Sequence, residues 1–167
     1  LRGPGRGLPE LATRIAALPG VSGVITGALQ REGTHWTTTG QTRVPWAVPG
    51  PDGPLALTLD PRGFTQANPG LNDGLVAAVV AGVDAPAGTK VLELYAGAGN
   101  LTLPLAARDL DVTAVEVNGP ALSDGRSAVQ ALGRTARFLP GRVEEVVRSL
   151  AGQRFDRVVA DPPRTGP

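Results

Sequence analysis

The spacing of apolar positions changes character near residue 60. Before it, Leu11, Ile15 and Leu18 recur at helical spacing over Pro9–Leu18, and Pro9 suits a first helical position. Pro19-Gly20 stops that run, and Val21–Ile25 follows as a candidate strand. Strands are then predicted at Trp36–Thr39 and Thr42–Val48, with Leu55, Leu57 and Leu59 in strict alternation after them. Gly50-Pro51-Asp52-Gly53-Pro54 supplies the intervening turn. This stretch is α plus β without a full set of elements, so residues 1–60 read as part of a small α+β domain.

Beyond residue 60 the strands become continuous apolar runs separated by helices. Asn68 before Pro69 is an N-cap followed by proline at the first helical position. Leu71, Leu75, Val76, Val79 and Val80 give a helical stripe that Pro86-Ala87-Gly88 breaks. Strands are then predicted at Lys90–Tyr95, Val112–Val117, Ala136–Leu139 and Phe155–Ala160. They alternate with helices at Asn100–Ala107, Pro120–Leu132 and Val143–Leu150. This rhythm predicts a parallel sheet covered on both faces. Residues 61–167 therefore read as a second, α/β domain whose sheet stops at the tip of its fourth strand.

Composition narrows the chemistry. The chain has 167 residues, 41% hydrophobic and 19% charged, enough for one domain or one plus a fragment. No apolar run approaches the length of a membrane span, and no secretory leader pattern is visible, so a cytoplasmic protein without a membrane partner is expected. Cysteine is absent and His35 is the single histidine. That excludes thiolate and multi-histidine metal sites and any cysteine nucleophile within this stretch. Net charge is +1, with five arginines against four acids in residues 1–60 and eleven basic against eleven acidic groups after them. Charge balance alone therefore offers no case for nucleic acid. The chain starts at Leu1 and has no methionine, so a piece of a longer protein, cut at both ends, is expected. His35 and Trp36 are expected to be packing residues, and Trp46 and Tyr95 are too scattered for a base-stacking platform.

The candidate chemistry lies in the second domain. Val91–Asn100 (VLELYAGAGN) reads as a strand, a tight glycine turn and a helix start, the arrangement that brings backbone close to a ligand. A dinucleotide fingerprint wants G-x-G-x-x-G, and Thr102 occupies the third glycine position. Glu93, on the strand, instead suits a cationic sulfonium ligand such as S-adenosylmethionine, or else serves as a helix cap. Glu116 ends the next strand, where a carboxylate can accept from both hydroxyls of a ribose. Asp161, at the carboxyl end of the fourth strand, offers an acceptor to the N–H edge of a base, and Pro162-Pro163 stiffen the loop behind it.

Taken together these segments resemble one family. Phe64-Thr-Gln66-Ala-Asn68-Pro69, Leu94-Tyr95-Ala-Gly97-Ala-Gly99-Asn100-Leu-Thr-Leu-Pro-Leu-Ala106, Val115-Glu116-Val-Asn118 and Asp161-Pro-Pro-Arg164-Thr-Gly166 occur in the order and spacing of the RNA uracil-5-methyltransferases. The resemblance covers residues 60–167 and extends weakly to Leu8–Ile25. It implies a Rossmann-like class I S-adenosylmethionine-dependent methyltransferase fold with a truncated parallel sheet, preceded by part of the family's central α+β domain. It implies S-adenosylmethionine as cofactor and a uridine of rRNA or tRNA as substrate, methylated at C5. The cofactor contacts it implies are Gln66, Tyr95, Gly97, Asn100, Glu116 and Asp161. Gln66 serves the methionine end or the target base, the Tyr95 ring lies against the cofactor, Glu116 takes the ribose and Asp161 closes the site beside the base. The nucleophilic cysteine of the family falls after Pro167, so the 167 residues alone are expected not to methylate RNA. No protein partner is implied, and a monomer is expected.

Two departures stand out. Arg142 occupies a position where the family places an acceptor for the adenine edge, and a guanidinium only donates, so Glu144 or a backbone group must substitute. Glu93 stands where Asp is common. Three other readings fit parts of the pattern: a nucleic-acid purine N-methyltransferase, against which Arg164 argues; a non-catalytic cofactor- or RNA-binding module; and a nicotinamide-dependent dehydrogenase, weakened by Thr102.

Overall fold

The computed structural model describes residues 7–30, 33–63 and 68–163. The chain forms two compact units, residues 1–43 and residues 44–167. The division expected at residue 60 thus moves to 43. The hairpin that follows residue 43 buries Val48, Leu57 and Leu59 in one cluster with Leu103, Ala114 and Leu122 of the second unit.

In the first unit, helix α1 (Leu8–Ala16) has a proline in its first turn and buries Ala12. It packs on a two-stranded antiparallel hairpin, β1 (Gly23–Gln30) and β2 (Gly33–Gly40), in register from Gly23↔Gly40 to Gln30↔Gly33. Both strands run longer than the apolar pattern indicated. Nearly all of β2 is exposed, so its ladder is carried by a run of threonines that leaves no apolar alternation to read.

The second unit opens with hairpin β3 (Val44–Gly50) and β4 (Gly53–Leu59), in register from Val44↔Leu59 to Gly50↔Gly53. Helix α2 (Pro69–Val83) starts as its sequence dictates: the Asn68 side chain accepts from the Leu71 N–H at 3.1 Å, with proline in the first turn. Its buried stripe is not the expected one. Asn72, Val76 and Val83 are buried, whereas Leu71 is 75% exposed. The helix is rotated about one residue from its apolar pattern because a polar side chain, Asn72, faces inward.

The parallel sheet has the order β7-β6-β5-β8, with β5 (Lys90–Leu94), β6 (Asp111–Glu116), β7 (Arg137–Pro140) and β8 (Arg157–Ala160). Helices α3 (Thr102–Ala106), α4 (Gly119–Ala131) and α5 (Val143–Ser149) connect them. On one face Val91 and Val112 pack with Val76 and Val83 of α2, and Ala114 packs with Leu122 and Val129 of α4. On the other, Leu92 and Val115 pack with Val146 and Leu150. Burial on both faces, expected of all four strands, holds for β5 and β6 but not for β8, whose Val158 is 62% exposed. Val158 lies beside Leu92 on the α5 face, and α5 packs over β6.

Strand order turns back at β5: the chain moves outward through β6 and β7, then returns to β8 on the other side. That is a topological switch point, and in such sheets the crevice outside the strands' carboxyl ends there is the ligand site. Both the glycine turn and Asp161 emerge into it. No helix among the described residues is long and apolar enough to cross a membrane.

Candidate functional site

The glycine turn leaves β5 through an unusual backbone. Tyr95 has φ 62°, left-handed for a residue with a side chain, and Gly97 and Gly99 follow at φ 57° and 90°. Non-glycine residues held in that region cost of order 1 kcal/mol or more and persist where surrounding bonds impose them. Here the Ala96 N–H donates to the Val115 carbonyl at 3.0 Å and the Gly99 N–H to the Ala96 carbonyl at 3.0 Å. The two glycines do different work. A Cβ on Gly97 would meet nothing within 4 Å, so the turn presents open backbone there. A Cβ on Gly99 would lie 3.4 Å from the Gly125 Cα of α4, and one on Gly125 would lie 3.2 Å from the Ala98 carbonyl oxygen. Gly125 thus provides the close helix packing that a third glycine gives in dinucleotide folds.

Thr102 takes the position of that third glycine. It is fully buried, and its hydroxyl donates to Glu93 Oε2 at 2.5 Å. Glu93 is itself 2% exposed, sealed under the turn. Of its two expected roles, ligand-facing carboxylate and helix cap, the second is the one adopted. Burial pushes its carboxyl up to about 8, against the Thr102 hydrogen bonds and with a further rise from the charges of Glu116 and Asp161.

Glu116 sits at the end of β6 and is held from two sides. Its Oε2 accepts from the Gly97 N–H at 2.8 Å and its Oε1 from the Asn118 N–H at 2.6 Å. Asn118 in turn caps α4, accepting from the Ala121 N–H at 3.0 Å. One carboxylate therefore ties the glycine turn, the end of β6 and the start of α4 together. Each oxygen keeps a second lone pair, the acceptor set a vicinal diol requires.

Asn100 gives its side-chain amide to Asn72. Asn72 Nδ2 donates to Asn100 Oδ1 at 2.9 Å, and Asn100 Nδ2 donates to Asn72 Oδ1 at 2.8 Å. The pair docks α2 against the glycine turn. Truncating Asn72 leaves the Asn100 amide without its partner, at a cost of about 1–3 kcal/mol. Asn72→Ala is expected to melt several degrees below the parent, and Asn72→Ala/Asn100→Ala no lower than either single variant. Additive losses in thermal melts would rule out the coupling.

Asp161 lies just past β8, exposed at the mouth of the crevice. Arg142 is the N-cap residue of α5, and its Nε lies 3.5 Å from Glu144 Oε2. The carboxylate named as substitute acceptor is thus paired with the cation that displaced the usual one. Gln66 and Arg164 lie outside the described residues. Sequence reasoning passed over Asn72 and Gly125, and also Asp124, which is buried and accepts from the Asp60 N–H at 2.6 Å. Among the described residues no cluster of His, Asp and Glu could hold a metal ion. A cavity of about 370 Å3, lined by the C-terminal half of α2 with Arg108 and Leu110, lies apart from these groups.

The fold recurs in solved methyltransferases. The chain is similar to the Pyrococcus abyssi tRNA (uracil-54, C5)-methyltransferase, solved with S-adenosyl-L-homocysteine, at TM-score 0.65 and 22% identity over 87% of this chain and 36% of that one. It is similar to the T. thermophilus 16S rRNA N2 G1207 methyltransferase, solved with AdoMet and guanosine, at TM-score 0.62 and 23% identity over 95% of this chain and 44% of that one. These likenesses establish the Rossmann-like methyltransferase fold. No protein-family profile matches the chain. Among curated proteins, the 23S rRNA (uracil(1939)-C(5))-methyltransferase of Cronobacter sakazakii is 37% identical over 115 residues, 67% of this chain and 27% of that protein. The enzyme of the same name from Enterobacter sp. is 37% identical over 125 residues, 73% of this chain and 28% of that protein. The chain belongs to the RNA uracil-C5-methyltransferase family. It spans little more than a quarter of the length of these family members. Family membership agrees with the segments from Phe64 to Gly166 that carried the resemblance.

Proposed function

We propose that this chain supplies the S-adenosylmethionine-binding part of an enzyme that methylates C5 of a uridine in rRNA or tRNA. The observation that carries the reading is Glu116, oriented by the Gly97 and Asn118 N–H groups with acceptor capacity left over, beside an open glycine backbone at the switch point. When bound, the cofactor supplies an electrophilic methyl group. Glu116 accepts from the ribose hydroxyls. Gly97 lets the ligand approach the backbone, and Tyr95, turned out of the strand by its left-handed conformation, sets its ring beside the site. Asn100 acts through the turn it holds in place. Asp161 accepts from a base edge at the mouth, and Gln66 serves the methionine end or the target base. The cysteine that activates uracil by adding to C6 lies outside these residues. The target base leaves its stack to reach the crevice. The protein acts as a monomer.

The test is a strain lacking the gene. Digested rRNA and tRNA should lose 5-methyluridine from one RNA class by mass spectrometry. Full retention of 5-methyluridine, with loss of an N-methylated purine in its place, overturns the reading.

A further inference from the structure

The first unit carries a surface that the cofactor site does not account for. Trp36 lies on β2 directly across from Gly27 of β1. Its ring rests against that glycine: a Cβ on Gly27 would come within 2.7 Å of Trp36 Cζ3 and 3.0 Å of Cε3. Any side chain at position 27 would push the ring away. With glycine there, the indole lies down on the hairpin, yet it remains 48% exposed. Residues two apart on a strand share a face, so Thr34 and Thr38 flank the ring on the same side, and both are exposed. This contradicts the expectation that Trp36 and His35 are packing residues, since both are exposed; His35 points to the other face.

Charge singles out the same unit. Residues 1–43 carry five arginines against two acids, whereas residues 44–167 carry eleven basic against thirteen acidic groups. The near-neutral whole hides a positive unit bearing a flat aromatic face and a negative one bearing the cofactor crevice. A unit of net positive charge with an exposed ring and flanking hydroxyls suits an unpaired base on a phosphate backbone, because every base has a stacking face whatever its identity.

We propose that Trp36, laid flat on Gly27, is a stacking platform for an unpaired base of the RNA on which the enzyme acts. The proposal rests on the RNA-substrate reading above. It assigns substrate contact to the β1–β2 hairpin, outside the methyltransferase unit.

The 167-residue chain is titrated with a fluorescein-labelled single-stranded RNA of about twelve nucleotides. Trp36→Thr, which places a strand-favouring β-branched residue there, should weaken binding about five- to a hundredfold. Trp36→Phe should recover most of that loss. The RNA should quench tryptophan fluorescence in the parent and not in Trp36→Phe, which retains only Trp46. If the parent binds RNA and Trp36→Thr binds equally well, the platform is wrong while the RNA reading stands. If the parent binds no RNA, the platform falls, and the 5-methyluridine content of the strain lacking the gene decides the RNA reading separately. A parent dimer that Trp36→Thr dissociates overturns the proposal by assigning the face to a second copy of the chain.

Discussion

Replacing Glu93 by glutamine is expected to flatten the pH dependence of stability. The Glu93 carboxyl is buried and pushed up to about 8 from an ordinary 4.5, so between those values the folded chain holds a proton that the unfolded chain has released. Stability is then fully present below about 4.5 and is lost as pH rises through about 8, at up to about 1.4 kcal/mol per pH unit. Against a total of about 5–15 kcal/mol for a typical domain, the loss is large. A glutamine side chain has no titrating group, and its carbonyl can still accept from Thr102. Urea denaturation at pH 5, 6.5 and 8 should show the parent weakening steadily and the Glu93→Gln chain holding level, with the variant the more stable at pH 8. Parallel slopes in the two proteins would mean that the carboxylate is ionised in the fold and solvated in some other way.

Glu116→Ala is expected to weaken affinity for the cofactor product by about two orders of magnitude or more. A hydrogen bond to a charged acceptor contributes about 1.5–3 kcal/mol, and two of them to a diol correspond to a Kd for S-adenosylhomocysteine raised on the order of 100-fold or more. The same substitution strips the acceptor from the Gly97 and Asn118 N–H groups, so a lower melting temperature accompanies it. Calorimetric titration with an analogue lacking both ribose hydroxyls separates the two effects. If Glu116 touches the diol, parent and variant should differ far less on that analogue than on S-adenosylhomocysteine. A Kd for S-adenosylhomocysteine within threefold of the parent would remove Glu116 from the site.

The order of strands and helices in the second unit was legible because each element carries a run that only one period fits. Asn68-Pro69 marked a helix start, and the apolar run Lys90–Tyr95 a strand. Glu116 could be placed at a strand end from the sequence, whereas its bond to the Gly97 N–H of the glycine turn could not. What escaped was every feature settled by a partner distant in sequence. Asn72 looks like a solvent-facing polar residue until Asn100, 28 positions away, turns it inward and rotates the helix with it. Glu93 looked ligand-facing because its burial depends on Thr102 closing over it. The hairpin at 44–59 was grouped with what precedes it, since its alternation says that one face is buried but not against which unit. Trp36 departs from its sequence pattern for the complementary reason: an aromatic in a β run is usually covered, and here a glycine lies beneath the ring while nearly half of the residue stays exposed.

The Asn72–Asn100 clasp carries no charge on either side. Salt weakens ion pairs and competes for phosphate contacts, but it leaves a pair of neutral amides almost untouched. RNA and S-adenosylmethionine, held as proposed above, should therefore part company as ionic strength rises. Nucleic acid is released first, while a turn locked by carboxamides goes on holding its nucleoside. A wash in molar salt would then strip RNA from the protein without emptying the cofactor crevice.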